Sequence, residues 1–178
     1  MPRIYLVSSE RYNSSKKDSG AWIDIKGSDT RKGILRRLRD ELDLTSAEFD
    51  SGELDYAIHD YEDFLSLKIN EHDTIGFIIQ VVDLIERETN VDLILTLLGD
   101  GFCESLEAAV EFHNNNYVGE YTDIDDYVIE LVEKGAFGEV PPALEFYIDN
   151  AALGRDMELN GDIITHDSNG HVNIWRAA

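Results

Sequence analysis

Five histidines, one cysteine and 37 carboxylates are the residues of this 178-residue chain best suited to acid–base, nucleophilic or metal chemistry. The histidines are His59, His72, His113, His166 and His171. None forms H-E-x-x-H, and a single cysteine excludes a cysteine-based zinc site within one chain. His166 and His171 flank an expected hairpin turn and could approach each other across it, beside many carboxylates. A metal-dependent hydrolase with an incidentally acidic surface is therefore one alternative reading. Cys103 precedes Glu104 and follows the Gly99-Asp100-Gly101 turn. A negative setting disfavours a thiolate, so a buried structural cysteine is expected rather than a nucleophile. There is no G-x-x-x-x-G-K-[ST] and no G-x-G-x-x-G after a strand, and Asp100 places an acid where a phosphate would need amide donors. Among so many acids a carboxylate pair has no specificity as an acid–base motif. No catalytic residue, metal site or cofactor is assigned.

The carboxylates inform by number and place. Fifteen Lys and Arg stand against 37 Asp and Glu, a formal net charge of −22. Residues 1–40 hold ten basic and five acidic residues, whereas residues 41–178 hold five basic and 32 acidic ones. Residues 41–63 and 88–133 contain no Lys or Arg, yet carry nine and twelve carboxylates. Such density opposes the compact state by self-repulsion. Solubility or a halophilic origin is the plain explanation, and an acidic adaptor for some basic partner is another.

Spacing adds geometry. Glu104, Glu107 and Glu111 step by three and four residues, and Asp123, Asp126 and Glu130 repeat that spacing, with Glu133 following. On a helix these steps rise about 4.5 and 6 Å along one face. B-DNA carries one charge per roughly 1.7 Å counting both strands, so one row is too sparse and several acidic elements would have to combine. A groove lined with Lys and Arg would accept such an array without any base sequence. The expected partner-binding acids are Asp60, Glu62, Asp63, Glu104, Glu107, Glu111, Glu120, Asp123, Asp125, Asp126, Glu130 and Glu133. The cations Arg31, Lys32, Arg36, Arg37 and Arg39 lie together between Asp29 and Asp40-Glu41. They could bind nucleic acid or an anionic partner, but in so acidic a chain they read first as a solvated basic helix face that partly neutralises neighbouring acidic surface.

The elements that must hold these residues follow from periodicity. Strands are expected at 3–8, 20–25 and 56–59, with a polar, flexible loop over Arg11–Ser19. Ile34, Leu35, Leu38 and Leu42 mark an amphipathic helix from Thr30 to Leu42. Helices follow over Asp73–Glu88, over Val91–Leu98 and after a Ser105 cap, with Leu106, Ala109, Val110 and His113 on one side of the third. Tyr117–Tyr121 is strand-like. Thr122–Lys134 reads as a helix opened by a Thr122/Asp125 capping box. Pro141-Pro142 opens a helical stretch through Tyr147, and Asn160-Gly161 ends another helix near Leu159. Strands at 163–166 and 172–175 flank the Asp167–Gly170 hairpin turn. The fold class is α+β, in three small parts: 1–65 (mixed β/α), 66–114 (all-helical) and 115–178 (mixed α/β). The chain is expected to be acidic on its surface. No run reaches the roughly 18 to 20 apolar residues of a membrane span. No cleavable signal pattern opens the sequence, so a cytoplasmic protein is expected.

Four blocks carry a family likeness. They are Gly20-Ala21-Trp22-Ile23-Asp24; Tyr56 to Phe64 (Tyr-Ala-Ile-His-Asp-Tyr-Glu-Asp-Phe); Tyr117-Val118-Gly119-Glu120-Tyr121; and Tyr147-Ile148-Asp149 with Arg155 to Asp162 (Arg-Asp-Met-Glu-Leu-Asn-Gly-Asp). In this order they resemble the ArdA antirestriction proteins. The resemblance implies an elongated three-domain chain that pairs through its C-terminal domain into an acidic homodimer mimicking bent B-DNA. It implies a non-enzymatic inhibitor, encoded on mobile genetic elements, that occupies the DNA site of type I restriction-modification enzymes on their methyltransferase core. It implies no nucleic acid or membrane as partner. The basic first 40 residues are not explained by it.

Overall fold

In the computed structural model, residues 1–13, 19–44 and 55–177 are described. They contain eight helices and two three-stranded antiparallel sheets in two compact units, Met1–Ala109 and Val110–Ala178.

The first unit is built on β1 (Arg3–Ser8), which pairs with β2 (Gly20–Asp24) on one side and β3 (Tyr56–Glu62) on the other. As the central strand, β1 buries Ile4, Leu6 and Val7. The β1–β3 register slips between Tyr5, opposite Asp60, and Leu6, opposite Ile58. His59 is therefore the extra residue of a bulge, and β3 runs three residues beyond the expected His59 end. A bulge adds local twist and lets the ladder continue past a misfit. Its continuation brings Asp60 and Glu62 onto an edge strand, where charged side chains discourage further pairing.

A short helix α1 (Ser9–Asn13) replaces the start of the loop expected from Arg11; residues 14–18 of that loop lie outside the described residues. Helix α2 (Arg31–Glu41) buries Ile34, Leu35 and Leu38 and is capped by Thr30, whose Oγ1 accepts from Gly33 N at 3.1 Å. Helices α3 (Ile75–Arg87), α4 (Val91–Gly99) and α5 (Leu106–Asn116) follow as expected. Ser105 caps α5 by accepting from Ala108 N at 3.1 Å. Gly27 has no room for a side chain, since a Cβ there would lie 2.4 Å from Cα of Asp83 on α3.

The second unit has β6 (His171–Arg176) between β4 (Tyr117–Tyr121) and β5 (Ile163–Ser168). Alternation along β6 sends Val172 and Ile174 to one face, where they meet Tyr127 and Ile163. On the other face Trp175 is fully buried, and its Nε1–H donates to His113 Nδ1 at 3.2 Å. His113 stacks on Tyr117 with ring centroids 4.8 Å apart, and the Tyr117 hydroxyl donates to Asn173 Oδ1 at 2.7 Å. Both faces of the central strand are thus occupied. The turn between β5 and β6 is tighter than expected, only Asn169-Gly170, with φ of 55° and 80°. This is the doubly left-handed turn that Asn-Gly favours.

Two helix expectations are corrected here. Helix α6 (Ile124–Glu133) is capped by Asp123, not Thr122: the Asp123 carboxylate accepts from Asp126 N at 3.0 Å. A carboxylate outdoes a threonine hydroxyl at the positive end of a helix. The stretch after Pro141 forms only the single turn α7 (Pro142–Glu145). Leu144, Phe146 and Tyr147 are all exposed, so no buried apolar face supports a longer helix. Helix α8 (Asn150–Leu159) packs on α6 through Gly154, where a Cβ would lie 2.7 Å from Ile124 Cγ1. No helix among the described residues is long and apolar enough to cross a membrane.

Candidate functional site: the carboxylate surface

Ten of the twelve acids singled out from the sequence are exposed; Asp125 and Glu130 are half-buried. They divide by what already holds them.

In the first unit, Glu62 is paired with Arg3, whose Nη2 lies 2.7 Å from its Oε2. The same guanidinium sits 4.8 Å above the Trp22 ring, so Arg3 is clamped from two sides. Asp63 accepts from the N-terminal ammonium at 2.9 Å. That bond and the adjacent positive charge hold the Asp63 carboxyl below its ordinary range. Its folded pKa is depressed, so this contact is intact above the usual carboxylate range and is lost as pH falls through the lowered value. Asp63 and Leu65 have φ of 65° and 56°, an uncommon backbone for non-glycine residues that turns Phe64 into the core between them. Asp60 accepts from the backbone N–H of Tyr61 at 2.8 Å. Glu107 accepts from Gln80 Nε2 at 3.3 Å.

In the second unit, Asp123 is spent on the α6 cap. Glu130 is drawn into the fold: Lys134 bonds to one oxygen and the Tyr121 hydroxyl donates to the other at 3.3 Å. The Lys134 hydrogen bond dominates in lowering the Glu130 pKa. Burial, followed by the Glu130 charge, raises the Tyr121 phenol.

The remaining six acids are different. Glu104, Glu111, Glu120, Asp125, Asp126 and Glu133 have no side-chain hydrogen bond or ion pair among the described residues. All but Asp125 are exposed. They stand at the ends and faces of α5, β4 and α6, which are ordinary ordered elements. A carboxylate that only stabilised the fold would have a donor close by. These have water.

The chemical alternatives fare differently. The β5–β6 register sets His166 opposite Asn173 and His171 opposite Ser168, so the two imidazoles are not cross-strand partners. No group of three or more His, Cys, Asp and Glu among the described residues is placed to hold a metal ion. Cys103 is buried, and burial raises its pKa, which keeps it a thiol. A cleft of about 420 Å³ in the second unit is lined by Asp123, Glu158 and Asp167 together with Arg155 and His171.

One feature escaped the sequence reading. Phe137, Leu144, Phe146, Tyr147 and Leu159 of the second unit lie open to solvent, Phe146 at 93% and Tyr147 at 84%. The usable signal was the density of large apolar residues after Ala136, Phe137, Leu144, Phe146 and Tyr147 within eleven positions.

A family model described as antirestriction protein (ArdA) matches residues 4–172 of the chain. No curated protein matches it.

Proposed function

Because the chain belongs to the ArdA antirestriction protein family, we propose that it inhibits type I restriction-modification enzymes by mimicking B-DNA. The protein occupies the DNA groove of the methyltransferase core with carboxylates in place of phosphates. It carries out no reaction of its own. The observation that carries this reading is the set of six acids without a donor, held on folded elements. A basic groove attracts such an array by the same electrostatics that draw it to a phosphate backbone. The engaged acids (Asp60, Glu62, Asp63, Glu107, Asp123 and Glu130) complete the twelve-residue partner surface, with their present contacts as competitors. The three-part organisation, 1–65, 66–114 and 115–178, belongs to the same reading, supported by the two sheets and the run of helices that separates them in sequence. So do an origin on a mobile genetic element and a cytoplasmic site of action, for which the family is the support.

The decisive measurement is competition for a type I methyltransferase core. Labelled cognate duplex should be displaced by the protein in proportion to its concentration. A ternary complex of enzyme, duplex and this protein would remove the mimic reading.

The acting form is a homodimer that pairs through the exposed apolar side chains of the second unit. Large aromatic surface left in water is the usual mark of a protein contact. Replacing Phe146 and Tyr147 together by Ser is expected to convert the dimer to monomer in sedimentation equilibrium at micromolar concentration. Inhibition should fall with it. A dimer of unchanged affinity would place the pairing surface elsewhere.

A further inference from the structure

Helix α2 presents positive charge that mimicry of a polyanion does not use. Arg37 and Arg39 on this helix are engaged: Arg37 Nη2 lies 2.6 Å from Asp29 Oδ2 and its Nη1 donates to the Asp24 carbonyl at 2.8 Å, while Arg39 Nη2 lies 2.6 Å from Asp40 Oδ1. Arg31, Lys32 and Arg36 are exposed and have no such partner among the described residues. Lack of acids is not the reason, since the chain has 37 of them. Arg31 and Lys32 also occupy the first helical turn, where a cation opposes the helix dipole at a cost of about 0.3–1 kcal/mol each. No acid stands in that turn to offset them. The buried side of α2 is formed by Ile34, Leu35 and Leu38, so the three cations are not needed for its packing.

We infer that Arg31, Lys32 and Arg36 form a docking face for an acidic protein surface bordering the groove that the carboxylates occupy. The inference rests on the mimic reading and deepens it. Duplex DNA is negative throughout and is repelled by an acidic border, whereas this protein gains a contact there. The cationic face thus gives the inhibitor an advantage over DNA that carboxylates alone do not supply. It also fixes orientation, because this helix face differs in sign from the acidic surface. Nucleic acid is a poorer occupant. A polyanion approaching this face meets a molecule of net charge −22, with only three free cations on one helix to hold it.

The test turns on the sign of an effect. Reversing all three (Arg31→Glu, Lys32→Glu, Arg36→Glu) adds two negative charges per site and takes the formal net charge from −22 to −28. If whole-molecule attraction to a basic groove were all that mattered, affinity for the methyltransferase core would rise. The docking face requires the opposite: a fall of at least about tenfold at 0.1 M salt, with far-UV circular dichroism and dimer mass unchanged. Lys68→Glu, an exposed cation outside α2, serves as control and should not weaken binding. The triple glutamine variant, which adds no like-charge pair beside Asp40, should fall about threefold and covers any folding defect of the reversal. Affinity that is unchanged or higher in both triple variants overturns the inference. So does loss of the dimer, which would make the occupant a second copy, or duplex binding by the wild type that the reversal removes. Failure of the wild type to displace duplex DNA would instead strike the mimic reading itself.

Discussion

Replacing Glu104, Glu111, Glu120, Asp126 and Glu133 by their amides in one chain is expected to lower inhibition of a type I enzyme by between about fivefold and a few thousandfold. The expectation follows from how each acid sits. All five are exposed and lack a hydrogen-bond or ion-pair partner among the described residues, so their removal leaves no donor unsatisfied. Stability should change little, because the fall in self-repulsion offsets the dipole interaction lost at Asp126 in the first turn of α6. On the enzyme each contributes about 0.2–1 kcal/mol, as exposed charge pairs do. Five together reach about 1–5 kcal/mol, and each 1.4 kcal/mol is tenfold in affinity. Single amides should each change inhibition by less than about sixfold on the same scale. Glu130→Gln should behave differently, since it also breaks the contacts to Lys134 and Tyr121 and loosens α6. The measurement is inhibition of duplex cleavage at fixed salt, with thermal unfolding beside it. Loss of all activity from one amide, with the fold intact, would point to a hot spot and against distributed charge.

The second large effect concerns stability. Trp175→Ala removes a fully buried indole from the central strand of the second sheet and takes the donor from His113 Nδ1. Truncating a core tryptophan costs about 3–5 kcal/mol. Whole domains are stable by only about 5–15 kcal/mol, so the second unit should melt well before the first. Trp175→Phe keeps much of the volume and loses the hydrogen bond, and should cost about 1–3 kcal/mol. Urea unfolding followed by far-UV circular dichroism measures the loss. Trp22 fluorescence reports the first unit separately. A cost below about 1 kcal/mol for the alanine variant would mean that the His113–Tyr117–Trp175 stack contributes little.

Most element positions were legible because local rules agreed with the tertiary fold. Helices α2 to α5 follow from apolar spacing, α5 also from its Ser105 cap, and the β5–β6 hairpin follows from Asn169-Gly170. Where two local signals competed, tertiary geometry chose between them. Thr122 and Asp123 are both good caps, and only the extended backbone of Asp123 settled the start of α6. The helical pattern after Pro141 could not show that nothing would cover it. The bulge at His59 was invisible because a register slip depends on the partner strand.

By itself, the sequence determined the charge and its placement: the excess of acids after residue 40, the absence of metal and phosphate motifs, and the ordered blocks that mark the family. Those properties are carried by residue type and spacing along one chain. Only the tertiary structure decided which carboxylates are free. Glu133 lies one helical turn from Glu130, yet Glu130 is bound by Lys134 and Tyr121 while Glu133 has no side-chain partner among the described residues. Whether an acid is available depends on which donors folding brings within about 3 Å, and several of them, such as Arg3 for Glu62 and Tyr121 for Glu130, lie on other elements.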